Sequence, residues 1–114
     1  MSVILEFSIF PLDRGASVSA EVSQVVDMIR HSGVTYRLTA MGTLIETSNI
    51  AEALAIVEQA TGVLHDNGCR RVYAAVKIDS RPGREHGLQE KLRSIQQRIG
   101  EVNLDPSEQS EQES

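Results

Sequence analysis

The stretch YRLTAMGTLIETS, residues 36–48, decides the fold. Its two β-branched-rich runs, Tyr36–Thr39 and Thr43–Ser48, flank Ala40-Met41-Gly42, and a glycine in so short a break predicts a β-hairpin. A helix is expected on each side of it. Upstream, Val18, Val22, Val25, Val26 and Ile29 recur at i, i+4, i+7, i+8 and i+11, the single apolar stripe of an amphipathic helix. Ser17 is its expected N-cap, and Gly33 stands where a left-handed residue closes a helix. Downstream, Asn49 and Glu52 have capping-box spacing; Ile50, Ala53, Leu54, Val57, Ala60, Thr61 and Leu64 then form a second stripe, closed near Asn67-Gly68.

Beyond the helices lie two further strands. Val3–Ile9 (VILEFSI) puts Val3, Leu5, Phe7 and Ile9 on one face and Ile4, Glu6 and Ser8 on the other. Arg71–Asp79 alternates again, Val72, Ala74, Val76 and Ile78 against Tyr73, Ala75, Lys77 and Asp79. After the loop Ser80–Gly87, Leu88, Leu92, Ile95 and Ile99 mark a third helix ending at Gly100. The order β-α-β-β-α-β-α predicts an α+β protein: a ferredoxin-like βαββαβ sandwich with an additional C-terminal helix. Two helices cover one sheet face, and the other is expected to stay open. Leu5, Phe7, Val72, Val76 and Ile78 are then under the helices, while Glu6, Ser8, Tyr73, Lys77 and Asp79 point away.

Composition narrows the function classes. The 114 residues hold no apolar run near the roughly 18 that span a bilayer. Glu6 interrupts the first apolar stretch and no basic residue precedes it, unlike a secretory signal. A single cysteine, Cys69, fits a reducing cytoplasm. The net charge of −5, with two Tyr, two Phe and no Trp, argues against nucleic-acid binding. Residues 103–114 (NLDPSEQSEQES) hold four acids and no base, which leaves residues 1–102 with 12 acids, 11 bases and a charge of −1. Residues 1–102 are therefore expected to form the domain and residues 103–114 an acidic disordered tail. A unit of this size gains from oligomerisation.

Three segments carry a family resemblance: SVILEFSIFPLDRGASVS (residues 2–19), YRLTAMGTLIE (36–46) and RVYAAVKIDSRPGRE (71–85). In this order and spacing they resemble the thiamine-binding protein family, the small YkoF-like domains, from about Ser2 to Ile99. The resemblance implies a ferredoxin-like domain, in its single-domain branch, that forms dimers or tetramers. It also implies binding of thiamine (vitamin B1) or its hydroxymethylpyrimidine part without catalysis or cofactor. Thiamine joins a hydrogen-bonding aminopyrimidine to a cationic thiazolium, so its site needs a carboxylate, hydroxyl or backbone partners, and an apolar wall. On the matched segments Glu6 is the expected carboxylate and Glu46 the second. Ser8, Thr39 and Thr43 are the expected hydroxyls, Gly42 allows close backbone approach, and Phe10, Tyr36 and Met41 supply wall. Lys77 either touches ligand or simply pairs with Glu6 across neighbouring strands.

Other features are weaker. His31 and His65 sit near helix ends, where a cation complements the dipole, and no two histidines have i,i+4 spacing, so no metal site is expected. Cys69 has no sequence-local partner for catalysis. Arg81 and Arg84 around Pro82-Gly83 form a possible anion-binding loop, although the Walker spacing is absent. Two other function classes stay open. One is a small enzyme that uses Glu6, Lys77 and Asp79 on the same sheet face; the other is an oligomeric regulatory module whose face serves assembly.

Overall fold

The computed structural model describes residues 2–103. The expected acidic tail, apart from Asn103, lies outside them. The elements are β1 (Ser2–Pro11), α1 (Ser19–Ser32), β2 (Thr35–Thr39), β3 (Gly42–Thr47), α2 (Ile50–Asp66), β4 (Val72–Arg81) and α3 (Gly87–Ile99). The strands form one sheet in the order β2-β3-β1-β4, every neighbouring pair antiparallel. This is the ferredoxin-like arrangement that the order of elements predicts.

Local chemistry explains most of the boundaries. The Asn49 side chain accepts a hydrogen bond from the Glu52 backbone N–H at 2.8 Å, and Glu52 reaches back to the Ser48 N–H at 3.3 Å. Gly33 closes α1 in the left-handed region at φ 82°. The start of α1 differs from expectation. Val18, not Ser17, is the N-cap and no side chain caps the helix; the loop from Leu12 to Ser17 carries the chain past the serine before the helix begins.

The core lies between one sheet face and α1 and α2. Val3, Leu5, Phe7 and Ile9 of β1 meet Val25 and Ile29 of α1, Ile45 of β3, and Ala53, Ile56, Ala60 and Leu64 of α2. Alternation assigned this face of β1 correctly because the strand is central and pairs on both sides. At β4 the outcome differs. Val76 and Ile78 stand opposite Phe7 and Leu5, on the helix side, yet are 40% and 43% exposed. They lie on the edge strand, beyond the cover of α2.

The second correction concerns the face expected to be open. Ile4 points away from the core, yet it is only 7% exposed. The reason is α3, which docks its first turns over that end of the sheet. A side chain at Gly87 would meet the Ile4 side chain at 3.0 Å. The Leu88 backbone N–H donates to Glu46 Oε2 at 3.3 Å, and Lys91 pairs with Asp79. The other end of the face, with Glu6, Ser8, Phe10, Tyr73 and Lys77, stays uncovered.

One asymmetry of the sheet positions the candidate site. Pairing of β1 with β3 stops at Phe7↔Thr43, whereas pairing with β4 continues to Pro11↔Val72. Pairing with the hairpin therefore ends four residues before β1 does.

Candidate functional site

The gap beyond the hairpin is a cavity of about 220 Å³, walled by β1, the hairpin turn and the first half of α1. Phe7, Ile9 and Val25 form its buried floor, Val18, Val22 and Val26 one side, and Leu38, Met41 and Phe10 its outer rim. Ser8, Thr39, Gly42 and Thr43 supply its polar edge. Because β3 no longer flanks β1 there, residues from both faces of β1 reach it.

The hydroxyls are not equivalent. Thr39 Oγ1 donates to the Gly42 carbonyl at 2.8 Å and accepts from the Met41 and Gly42 N–H groups at 3.2 and 3.1 Å. It is thus consumed in holding the two-residue turn. Thr43 is 7% exposed and its hydroxyl has no hydrogen-bond partner among the described residues. The oxygen still reaches solvent, because the buried side-chain polar atom without a partner among the described residues is Arg84 Nε. The Thr43 hydroxyl faces a cavity that a ligand can fill. Ser8 is half-buried and equally unpartnered among the described residues.

Six of the expected site residues thus come together: Ser8, Phe10, Thr39, Met41, Gly42 and Thr43. Tyr36 lies next door, in a groove with Val22, Val26, Asp27 and Arg30 that shares Leu38 with the cavity. The role of Gly42 changes. A Cβ there would stand 2.9 Å from the Phe7 carbonyl oxygen, so the glycine is needed for β1 itself to approach the turn.

The remaining candidates lie elsewhere. On the far face, Arg37, Leu44, Glu6 and Lys77 form one cross-strand row. Glu6 and Lys77 stand directly opposite, yet no ion pair within 4.0 Å joins them among the described residues. Glu46 is committed to structure, its Oε2 accepting from Ser2 Oγ at 2.7 Å and from the Leu88 N–H. Arg84 is likewise committed. Its side chain is 8% exposed and donates to Asp79 Oδ2 at 3.2 Å and to the carbonyls of Ser2 and Asp79 at 3.0 and 3.2 Å. Arg81 is exposed and lines, with Arg84 and Lys91, an open pocket of about 560 Å³ in which Arg84 and Lys91 already face Asp79. The Lys91 ammonium and Arg84 guanidinium hold the Asp79 carboxyl below its ordinary 3.8. Among the described residues no group of three metal-ligating side chains assembles.

Sequence reasoning missed the α1 wall. Val18, Val22 and Val26 read as core, yet all three are only half-buried. The available clue was the adjacent pair Val25-Val26, which widens the stripe beyond what one core contact requires.

Residues 5–96 match the model of the family described as thiamine-binding protein. The chain belongs to the thiamine-binding protein family. Its relatives include the UPF0045 protein of Methanothermobacter thermautotrophicus, 31% identical over 98 residues that cover 85% of this chain and 99% of that one. The UPF0045 protein MJ1052 of Methanocaldococcus jannaschii is 35% identical; its crystal structure superposes with a TM-score of 0.71 over 82% of this chain and 95% of that one. A Bacillus cereus domain of unknown function, DUF77, is 28% identical with a TM-score of 0.72, covering 81% and 88% of the two chains. In this thiamine-binding family member the cavity gathers six of the expected residues, more than the sheet-face cleft does.

Proposed function

We propose that this protein is a non-catalytic binder of thiamine or its hydroxymethylpyrimidine part, with the pyrimidine ring seated between α1 and the hairpin end. The observation that carries this reading is the Thr43 hydroxyl, without a partner among the described residues and open to solvent at the edge of an apolar-lined cavity. Family membership supplies the ligand class. The volume of about 220 Å³ is below the roughly 300–1,000 Å³ of pockets for drug-sized ligands, so the cavity takes one ring and leaves the thiazolium outside. The lining holds no ionisable side chain, which fits an uncharged ring and leaves the expected carboxylates, Glu6 and Glu46, outside the cavity. Thr43 and Ser8 then hydrogen-bond the ring's edge while Val22, Val26 and Phe10 cover its faces.

Assembly belongs to the same proposal. The outer edge of β4 has no strand partner among the described residues, and Tyr73, Val76 and Ile78 on it are 54%, 40% and 43% exposed. A second copy pairing along this edge covers them and ends the exposed ladder. The one cysteine, free and buried, accords with a cytoplasmic setting.

Calorimetry with hydroxymethylpyrimidine, thiamine and its phosphates tests the ligand. Comparable affinity for the free pyrimidine and thiamine is expected. Failure of all of them to bind at millimolar concentration overturns the proposal.

A further inference from the structure

A second cleft, of about 340 Å³, lies on the opposite side of the sheet, between the uncovered centre of that face and the underside of α3. Its lining is Ile4, Leu44, Leu88 and Leu92, with Thr39 and Asn103 as polar neighbours and Arg37 and Lys91 as its cations. The two cations differ. Lys91 is neutralised by Asp79, which also receives Arg84. Arg37 is half-buried and makes no hydrogen bond or ion pair among the described residues. The nearest acid in its cross-strand row, Glu6, is two strands away, roughly 9–10 Å along the sheet, and does not line the cleft. The Arg37 guanidinium meets no anion among the described residues and stays open to solvent, and its planar fork suits a carboxylate bound through two hydrogen bonds.

We infer that this cleft binds a small amphipathic monocarboxylate, its carboxylate on Arg37 and its apolar body between Leu44 and the Leu88–Leu92 face of α3. One uncompensated cation matches one negative charge, which favours a carboxylate over a dianionic phosphate ester. The volume is within the range of small-molecule sites. The four aliphatic walls select an apolar aryl or short acyl body over a sugar or a polar peptide. The cleft opens on the other face of the sheet and shares Thr39 alone with the pyrimidine cavity, so the inference does not rest on that reading.

The test uses 4-phenylbutyrate with the full chain, and 4-phenylbutan-1-ol as the uncharged control. Backbone resonances of Ile4, Leu44, Leu88 and Leu92 should shift saturably with the acid, and the alcohol should bind about tenfold more weakly. Arg37→Gln should abolish that preference with unchanged thermal stability, and Arg37→Lys should retain part of it. The inference is overturned if no saturable shift occurs at about 10 mM acid, a concentration at which millimolar binding is evident. It is also overturned if acid and alcohol bind alike, or if Arg37→Gln leaves the preference intact.

Discussion

Thr43 and Gly42 are neighbours with opposite demands on mutation. Thr43→Val keeps the shape of the side chain and removes the hydroxyl, so a bound pyrimidine loses one hydrogen bond, about 1 kcal/mol or roughly fivefold in affinity. The folded protein loses nothing, because that hydroxyl has no partner among the described residues. Calorimetry should show the weaker binding and urea melts an unchanged or slightly raised midpoint. Gly42→Ala acts the other way. Its methyl would stand 2.9 Å from the Phe7 carbonyl oxygen, a backbone atom that cannot swing aside. Loss of about 1–3 kcal/mol in urea unfolding is expected. The sequence made Gly42 visible as a turn residue, but its second constraint comes from β1, 35 positions away in the chain, and no local pattern carries it.

Local signals read true where the partner is a few residues off, and failed where it is distant. The Asn49–Glu52 cap is written in four consecutive residues and formed as expected. The place of α3 is not local at all. Its start is held by Glu46 and Ser2, 42 and 86 residues before Leu88, and by Asp79 through Lys91 and Arg84. A helical stripe says only that one face needs cover, not which surface gives it. Acid should test this attachment. The Lys91 and Arg84 contacts lower the folded-state value of Asp79 below 3.8, so they stabilise the folded form above the ordinary carboxylate range. That contribution is lost as pH falls through the lower folded value. Amides of α3 should therefore stay protected from hydrogen exchange down to about pH 4 and lose protection below it, ahead of those in β1. Asp79→Asn should lower α3 protection at neutral pH and flatten this dependence.

Across the whole molecule, the helix layer is narrower than the sheet. α1 and α2 cover β3 and β1, whereas the apolar residues of β4 beyond Val72 remain exposed on both faces. Period-two alternation showed which way each β4 side chain points, but only tertiary packing sets how far the helices reach. With a charge of −1 over residues 1–102, repulsion between copies is slight, and the exposed edge is expected to be covered by self-association. A lysine at Ile78 places a charge in that contact without touching either cleft. Sedimentation should show Ile78→Lys shifted to the monomer with pyrimidine affinity retained, which separates assembly from binding. If assembly is unchanged, β4 is not the contact.

The early end of the hairpin has a further consequence. At Leu5 the sheet is four strands wide, through Tyr36, Ile45 and Ile78; at Phe10 it is two strands wide, with only Tyr73 alongside. A planar heterocycle lying against residues 8–10 therefore takes the place of a missing strand, offering its ring edge to backbone that the hairpin leaves bare. Occupancy would then extend the ladder as well as fill a hole, and the slowed exchange of an amide in this overhang would mark it.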